Sequence, residues 1–251
     1  MRVAIAGGTG LTGRHVAEAL QRSGHDTVII SRAAGVDILT GTGLADALAG
    51  VESVIDVTNS PASAADADQA RAFFATITRQ LLAAEQKAGV QHHVVLSIIG
   101  IDRAQSTPHY AGKLVQEHVA LGGPIPVTIV RVTQFHEFAG MVVSWTRQGD
   151  TATIAPLLIQ PIAVSDVANV LAETATGQPG EKMISVAGPE PQDLVDMARR
   201  TLAVRGENIK LIPTWRGPFS VDMAGEVLLP GPEARLAATT FDDWLATQVP
   251  G

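Results

Sequence analysis

The chain has 251 residues, 46% of them apolar and 17% charged, a globular composition long enough to bury a substantial core and unlike that of disordered segments. Its net charge of −7, pI near 5.4 and 4% aromatic content fit neither phosphate-backbone tracking nor base stacking, so no nucleic-acid partner is expected. The lack of cysteine excludes disulfides, thiolate metal sites and cysteine nucleophiles, and suits a reducing compartment.

From the N-terminus, "RVAIAG" (2–7) is a short apolar run ending in glycine. "LTGRHVAEALQRSG" (11–24) follows with Val16 and Leu20 at helical spacing and Gly24 as a stop, which predicts strand, tight turn and helix. "DTVIISR" (26–32) is β-branched and apolar, as a strand covered on both faces should be. "LADALAG" reads as helix, "SVIDVTN" as strand, about 66–88 as a long helix, "HHVVLSIIG" as strand, 109–121 as helix and "PVTIVRV" (126–132) as strand. Such alternation predicts an open parallel sheet, because each parallel crossover needs a long connection, usually helical.

Beyond about 133 the pattern loosens. "TATIAPLLIQPIAV" predicts one or two short strands, "SDVANVLAETA" a helix capped by Ser165, "KMISVAG" a strand, "PQDLVDMARRTL" a helix and "NIKLIPT" a further strand. A Gly/Pro-rich stretch (216–232) leads to a final short helix, "TFDDWLAT". The expected fold is a Rossmann-type doubly wound α/β sheet over 1–132, followed by a small mixed substrate-binding region over 133–251 that packs as a lid on the same structural unit. "MRVAIAGGTG" enters a strand at once, without a charged leader, and no run approaches 18 apolar residues, so a soluble, cytoplasmic protein away from membranes is expected.

"GGTGLTG" (7–13) sets Gly7, Gly10 and Gly13 between the first strand and the first helix. The first glycine permits the turn, the second lets backbone amides approach a pyrophosphate, and the third allows close helix-to-strand packing, with the helix N-terminus adding a favourable dipole. Thr9, Leu11 and Thr12 complete the turn that would cradle the cofactor. The spacing is G-x-x-G-x-x-G instead of the G-x-G-x-x-G of ordinary dinucleotide dehydrogenases, and the flanking strand and helix carry the assignment more than the glycines do. A second strand that binds a free ribose 2′-hydroxyl normally ends in a carboxylate. Here it ends in Ser31 and Arg32, and a guanidinium there can pair with a 2′-phosphate, which favours NADP(H) over NAD(H). A solvated surface arginine is the plain alternative. Asp37 is placed either to meet the adenine edge or to stabilise a turn.

"IAGGTGLTGRHVAEAL", "VVLSIIGIDR", "YAGKLVQE", "VRVTQFHEF", "PIAVSDVANVLAE" and the terminal "FDDWLA" together resemble the atypical short-chain dehydrogenases of the NmrA-like, NAD(P)H-binding group, over nearly the whole chain. The resemblance implies a Rossmann sheet with a small C-terminal substrate region. It also implies either NADPH-dependent reduction of quinones, other small carbonyls or alkenes, or redox sensing without turnover.

In a doubly wound sheet the ligand lies beyond the carboxyl ends of the strands. That rule collects Thr58, Asn59, Ser97 and Thr133, with Gln134, Phe135 and His136 as substrate contacts; a simple capping or surface role is the other reading of His136. Ser97 resembles the serine that orients a substrate oxygen in typical short-chain reductases; a local bond to the strand end is its other use. The resemblance assigns Lys113 to the nicotinamide ribose, where its charge would lower the pKa of a neighbouring acid. In typical members the catalytic tyrosine stands four residues before the lysine. Here that position holds His109, an imidazole that could donate the proton if solvent does not, and Tyr110 is displaced around the helix axis. His92 and His93, adjacent on a strand, point to opposite faces and cannot share a metal. No metal-ligand motif or Gly-x-Ser-x-Gly elbow is present, and no metal is expected. The expected function is NADPH-dependent reduction of a quinone or similar small conjugated carbonyl. The alternative from a different class is a non-catalytic NADP(H) sensor with a protein partner. A sugar epimerase is a third reading that would want a tyrosine in register with Lys113. Oligomeric state is left open.

Overall fold

The computed structural model describes residues 1–60, 66–104 and 107–248. Strand β1 (Arg2–Ala6) buries Val3, Ala4, Ile5 and Ala6 and turns through glycines into α1 (Leu11–Arg22), whose Val16, Ala19 and Leu20 form its buried stripe. β2 (Asp26–Ile30), the single-turn helix α2 (Leu44–Ala47) and β3 (Ser53–Asp56) follow. α3 (Ala67–Ala88) starts where the Asp66 carboxylate accepts the Gln69 N–H at 2.8 Å and ends at Gly89, whose φ of +77 suits a residue without Cβ. β4 (His92–Ile98), α4 (Pro108–Leu121) and β5 (Val127–Val132) complete the alternation.

The rest of the chain forms α5 (Phe138–Thr146), β6 (Arg147–Gln148), β7 (Thr151–Ile154), β8 (Leu158–Ile159), α6 (Val164–Thr176), β9 (Met183–Ala187), β10 (Gln192–Asp193), α7 (Leu194–Val204), β11 (Lys210–Pro213), β12 (Arg235–Leu236) and α8 (Phe241–Ala246). Two details differ from the sequence-based expectations. Ser165 lies inside the first turn of α6, which begins at Val164, so it is not the N-cap. Helix α5 was not anticipated, because "FAGMVVSWT" mixes glycine and adjacent valines and lacks a side-chain cap.

By contacts the chain divides into two compact units, one of residues 1–98, 108–131 and 164–184, the other of 99–107, 132–163 and 185–251. In the first unit β1 pairs in parallel with both β2 and β3, and β3 pairs in parallel with β4. The Ile129 N–H donates to Lys182 O at 2.9 Å, where β9 begins. Helix α6 packs on α1 and α3 packs on α4. The full strand order, β12-β9-β5-β4-β3-β1-β2, is that of a seven-stranded parallel Rossmann-type sheet flanked by helices, as the alternation predicts. In the second unit β12 pairs with β9, β11-β7-β6 form a small sheet and β10 pairs with β8. The Asp193 side chain caps α7, and Thr240 with Asp243 forms a capping box on α8.

Candidate functional site

The glycine turn is built on contact too close for side chains. Gly7 has φ +83, and a Cβ there would lie 2.9 Å from Val57 O; one on Gly13 would lie 2.4 Å from Gly7 O and 2.6 Å from Gly8 Cα. Gly10, the N-cap of α1, is extended at φ −75, makes no side-chain capping bond, and is followed by a first turn without acidic residues. The first N–H groups of α1 therefore have no side-chain acceptor, and the helix dipole there favours an anion. Thr9, Gly10 and Leu11 are exposed, whereas Thr12 and Gly13 are buried.

At the end of β2, the Ser31 hydroxyl oxygen accepts the Ala34 N–H at 3.2 Å, capping a short turn that carries Arg32 exposed at its start. Asp37 Oδ1 accepts the Leu39 N–H at 2.9 Å, so the turn contact is the one of its two uses present in the structure. After β3, Thr58 is half-buried and Asn59 exposed. Ser97 is buried and its Oγ makes no hydrogen bond among the described residues.

Helix α4 comes close to α3 at Gly112, where a Cβ would stand 2.6 Å from the Phe74 ring, and this approach sinks the neighbouring Lys113 to 4% exposure. Its ammonium lies 5.2 Å from the Phe74 ring centroid and donates to Gln116 Oε1. Gln116 Nε2 in turn donates to Asp56 Oδ2 at 2.8 Å. Asp56 Oδ1 accepts from the Thr58 N–H at 2.9 Å and the Thr58 hydroxyl at 2.6 Å. Burial pushes the Lys113 ammonium down to about 8, opposed by the carboxylates of Asp56 and Glu117. Burial, with the Lys113 charge beside it, pushes the His109 imidazole down to about 4. His109 is therefore neutral at pH 7, and the imidazolium that could have served as a proton donor at that position is not the resting form. Its Nδ1 lies 3.4 Å from Ser60 Oγ and its ring meets Phe74 edge-on at 5.8 Å. Tyr110, one residue on, is buried.

Ion pairs of buried and half-buried side chains lie in this unit as well. His93 Nδ1 donates to Glu85 at 2.9 and 3.0 Å, both side chains being 0% exposed. Burial opposes charge on His93, but the hydrogen-bonded Glu85 carboxylate, with Asp56, outweighs both burial and the Lys113 charge and raises its pKa. Arg131 grips Glu117 with both prongs, at 2.9 and 2.7 Å. His92 faces the other way, 3.0 Å from the Thr128 hydroxyl, and burial, then His93, lowers its pKa.

The remaining expected contacts belong to the second unit. Thr133 and Gln134 are buried and Phe135 half-buried. His136 is fully buried; its Nε2 donates to Thr239 O at 3.2 Å and its ring packs 5.6 Å from Phe241 and 5.7 Å from Trp244. A surface role for His136 is thereby excluded, and its visible work is to anchor α8. Sequence reasoning passed over Asp56, Gln116, Glu85 and the ion-paired state of His93. A carboxylate inside the covered strand "SVIDV" was the available signal, since a buried carboxylate must find donors. Among the described residues no group of three or more His, Asp or Glu side chains could hold a metal ion, and no helix is long and apolar enough to cross a membrane.

Residues 3–100 match the model of the NAD dependent epimerase/dehydratase family. No curated protein matches the chain. Among solved structures, MoeE5 in complex with UDP-glucose and NAD is 19% identical, covers 99% of this chain and 97% of its own, and superposes with a TM-score of 0.76. A UDP-glucose-4-epimerase from Stenotrophomonas maltophila with bound NAD is 16% identical over 99% of this chain and 96% of that one, with a TM-score of 0.74. An NADPH-dependent quinone oxidoreductase from Escherichia coli is 15% identical over 98% of each chain, with a TM-score of 0.68. At these identities the likeness is one of fold.

Proposed function

We propose that the protein is an NADPH-dependent reductase of a quinone or similar small conjugated carbonyl. The observation that carries this reading is the pair of departures from the epimerase pattern: Arg32 where a ribose-binding carboxylate would stand, and His109 in place of a tyrosine in register with Lys113. An epimerase needs a group that takes a proton from a sugar hydroxyl and returns it, and a half-buried imidazole pushed down to about 4 is a weak base for that task.

The residues present fit a dinucleotide. The uncapped start of α1 and the glycines whose Cβ atoms would strike backbone leave room and donors for a pyrophosphate, and Thr9, Leu11 and Thr12 belong to the same turn. Exposed Arg32, with Ser31 before it, is set to meet a 2′-phosphate. Within the same unit Thr58 and Asn59 would meet the ribose side, with Ser97 available to orient a substrate oxygen. Hydride chemistry comes from the dinucleotide once bound. The chain orients it, and Lys113 Nζ, with a pKa near 8, stays mainly protonated at neutral pH and stabilises developing negative charge. The proton that completes a hydroquinone then comes from solvent, and Tyr110 is left outside the proton path.

NADPH is expected to bind more tightly than NADH by about 1–3 kcal/mol, the scale of a charge-assisted hydrogen bond, with the difference lost in Arg32→Ala. Titration of both cofactors checks this, and equal affinities in the wild type would remove the NADP assignment. NADPH oxidation over quinones, enals and ketones tests the reaction, with UDP-sugars followed by product analysis because epimerisation leaves the cofactor unchanged overall. Turnover confined to UDP-sugars would favour epimerase-type chemistry. Cofactor binding without any turnover, together with a stable protein complex, would favour the sensor. In the active enzyme Lys113→Ala is expected to weaken NADPH binding and remove most turnover, and His109→Ala to lower turnover modestly; steady-state kinetics of the two variants would read this, and an unchanged Lys113→Ala would contradict it.

A further inference from the structure

We infer that Asp56 and Gln116 are positioning residues that hold the Lys113 ammonium in place and tie it to the hydroxyl of Thr58. The inference deepens the reading above and rests on Lys113 being the cofactor-side lysine. A lysine on a long flexible stem ordinarily sends its ammonium to water. Lys113 does not, because Gln116, one turn further along α4, offers an amide oxygen inside the protein. The direction of that amide follows from its other partner. The Asp56 carboxylate only accepts hydrogen bonds, so the NH2 of Gln116 must face it and the amide oxygen must face Lys113.

Asp56 itself is over-determined. It ends β3 in register with Val95 of β4, is fully buried, and takes three hydrogen bonds on its two oxygens, from Gln116 and twice from Thr58. Because the Thr58 hydroxyl spends its proton on Asp56, the same oxygen is left as an acceptor, suited to a hydroxyl of a bound ligand. A single chain of bonds thus runs from the lysine to the loop after β3, and one carboxylate sets both ends. The charged groups that act on Lys113 are Asp56 from β3 and Glu117 from α4, while Lys113 acts on His109 of α4 and on His93 of β4. Glu117 is held by Arg131, and His93 by Glu85. Asp56 is therefore the carboxylate joined to Lys113 through the bond chain, and its charge also acts on His93, whose hydrogen-bonded partner is Glu85.

The test is the titration of Lys113 in the full chain, read from side-chain NMR of labelled lysine, which is tractable because the sequence holds only four lysines. The variants are Asp56→Asn, Gln116→Met and Gln116→Glu, each also titrated with NADPH. Asp56→Asn is expected to lower the Lys113 midpoint by about 1–3 units, the effect of losing an opposite charge at close range. Gln116→Glu is expected to raise it, and Gln116→Met to lower it less than Asp56→Asn. NADPH affinity should fall roughly tenfold or more in Asp56→Asn and Gln116→Met, the cost of about one hydrogen bond to a charged group. Opposite signs in Asp56→Asn and Gln116→Glu cannot arise from a brace that merely stabilises the fold. A midpoint unchanged across the variants overturns the inference. If Asp56→Asn does not fold, the two Gln116 variants decide by the same criterion. Failure of the wild type to bind NADPH would sink the reductase reading and leave the Lys113 titration to decide this one.

Discussion

Replacing Gly13 with alanine is expected to abolish cofactor binding and to destabilise the fold by about 1–3 kcal/mol or more, the usual cost of forcing volume into a packed site. The added methyl would stand 2.4 Å from Gly7 O and 2.6 Å from Gly8 Cα. Both are backbone atoms, so relief requires the turn to open. Gly10 provides the internal control. A Cβ there meets only Gly7 O, at 3.3 Å, and its φ of −75 is one that alanine adopts freely. Gly10→Ala should therefore keep wild-type stability and, on the proposed cofactor site, lose affinity alone. Thermal unfolding and NADPH titration of the two variants separate the effects; a Gly13→Ala protein that melts and binds like the wild type would refute the packing argument.

The second large effect is expected at Glu85. Truncation to alanine leaves His93 without its partner at a site with no exposure, and stranding one member of a buried ion pair costs about 3–5 kcal/mol. The pH dependence follows from the raised His93 pKa. Charge pairing contributes in full below the unfolded-state value near 6.5 and is lost as pH rises through the folded-state value. The gap between wild type and Glu85→Ala should accordingly be widest in mild acid and narrow in alkali. Replacing both residues, as Glu85→Leu with His93→Leu, should recover much of the loss, since a well-packed apolar pair avoids desolvation altogether. Urea unfolding at a series of pH values would measure this, and a gap that widens with pH would show that His93 is not charged in the native state.

The fold was legible wherever one local rule sufficed. Strands β1 to β5 and the helices between them follow from apolar runs, glycine stops and an aspartate cap, each readable within a dozen residues. Helix α5 escaped because its valines and glycine oppose helix by propensity and tertiary packing of Ala139, Val142 and Val143 decides the matter. The candidate site divides in the same way. The turn's tight glycine packing was readable because its geometry depends on neighbours in sequence. The bonds joining Asp56 to Gln116 and Glu85 to His93 cross 60 and 8 positions, and no local pattern reports them. Glu85 did carry a hint, since it continues the Leu81 and Leu82 face of α3 at helical spacing and lies buried there. His136 was read too locally: its partners at 239, 241 and 244 come about 100 residues later.

The pairing of α1 with α6 also sets an order of events during synthesis. The helix that follows the phosphate turn is finished at residue 22, but the neighbour that covers it within its unit is finished only at residue 176, and even their polar contact, Arg22 Nη2 to Asn169 Oδ1 at 3.2 Å, spans 147 positions. At roughly 5–20 residues per second, the part of α1 that α6 covers waits about 10–30 s for it. The nascent first third of the chain is thus a half-finished layer with one apolar face open, and the ribosome, not only the native packing, has to be able to hold it soluble until the sixth helix arrives.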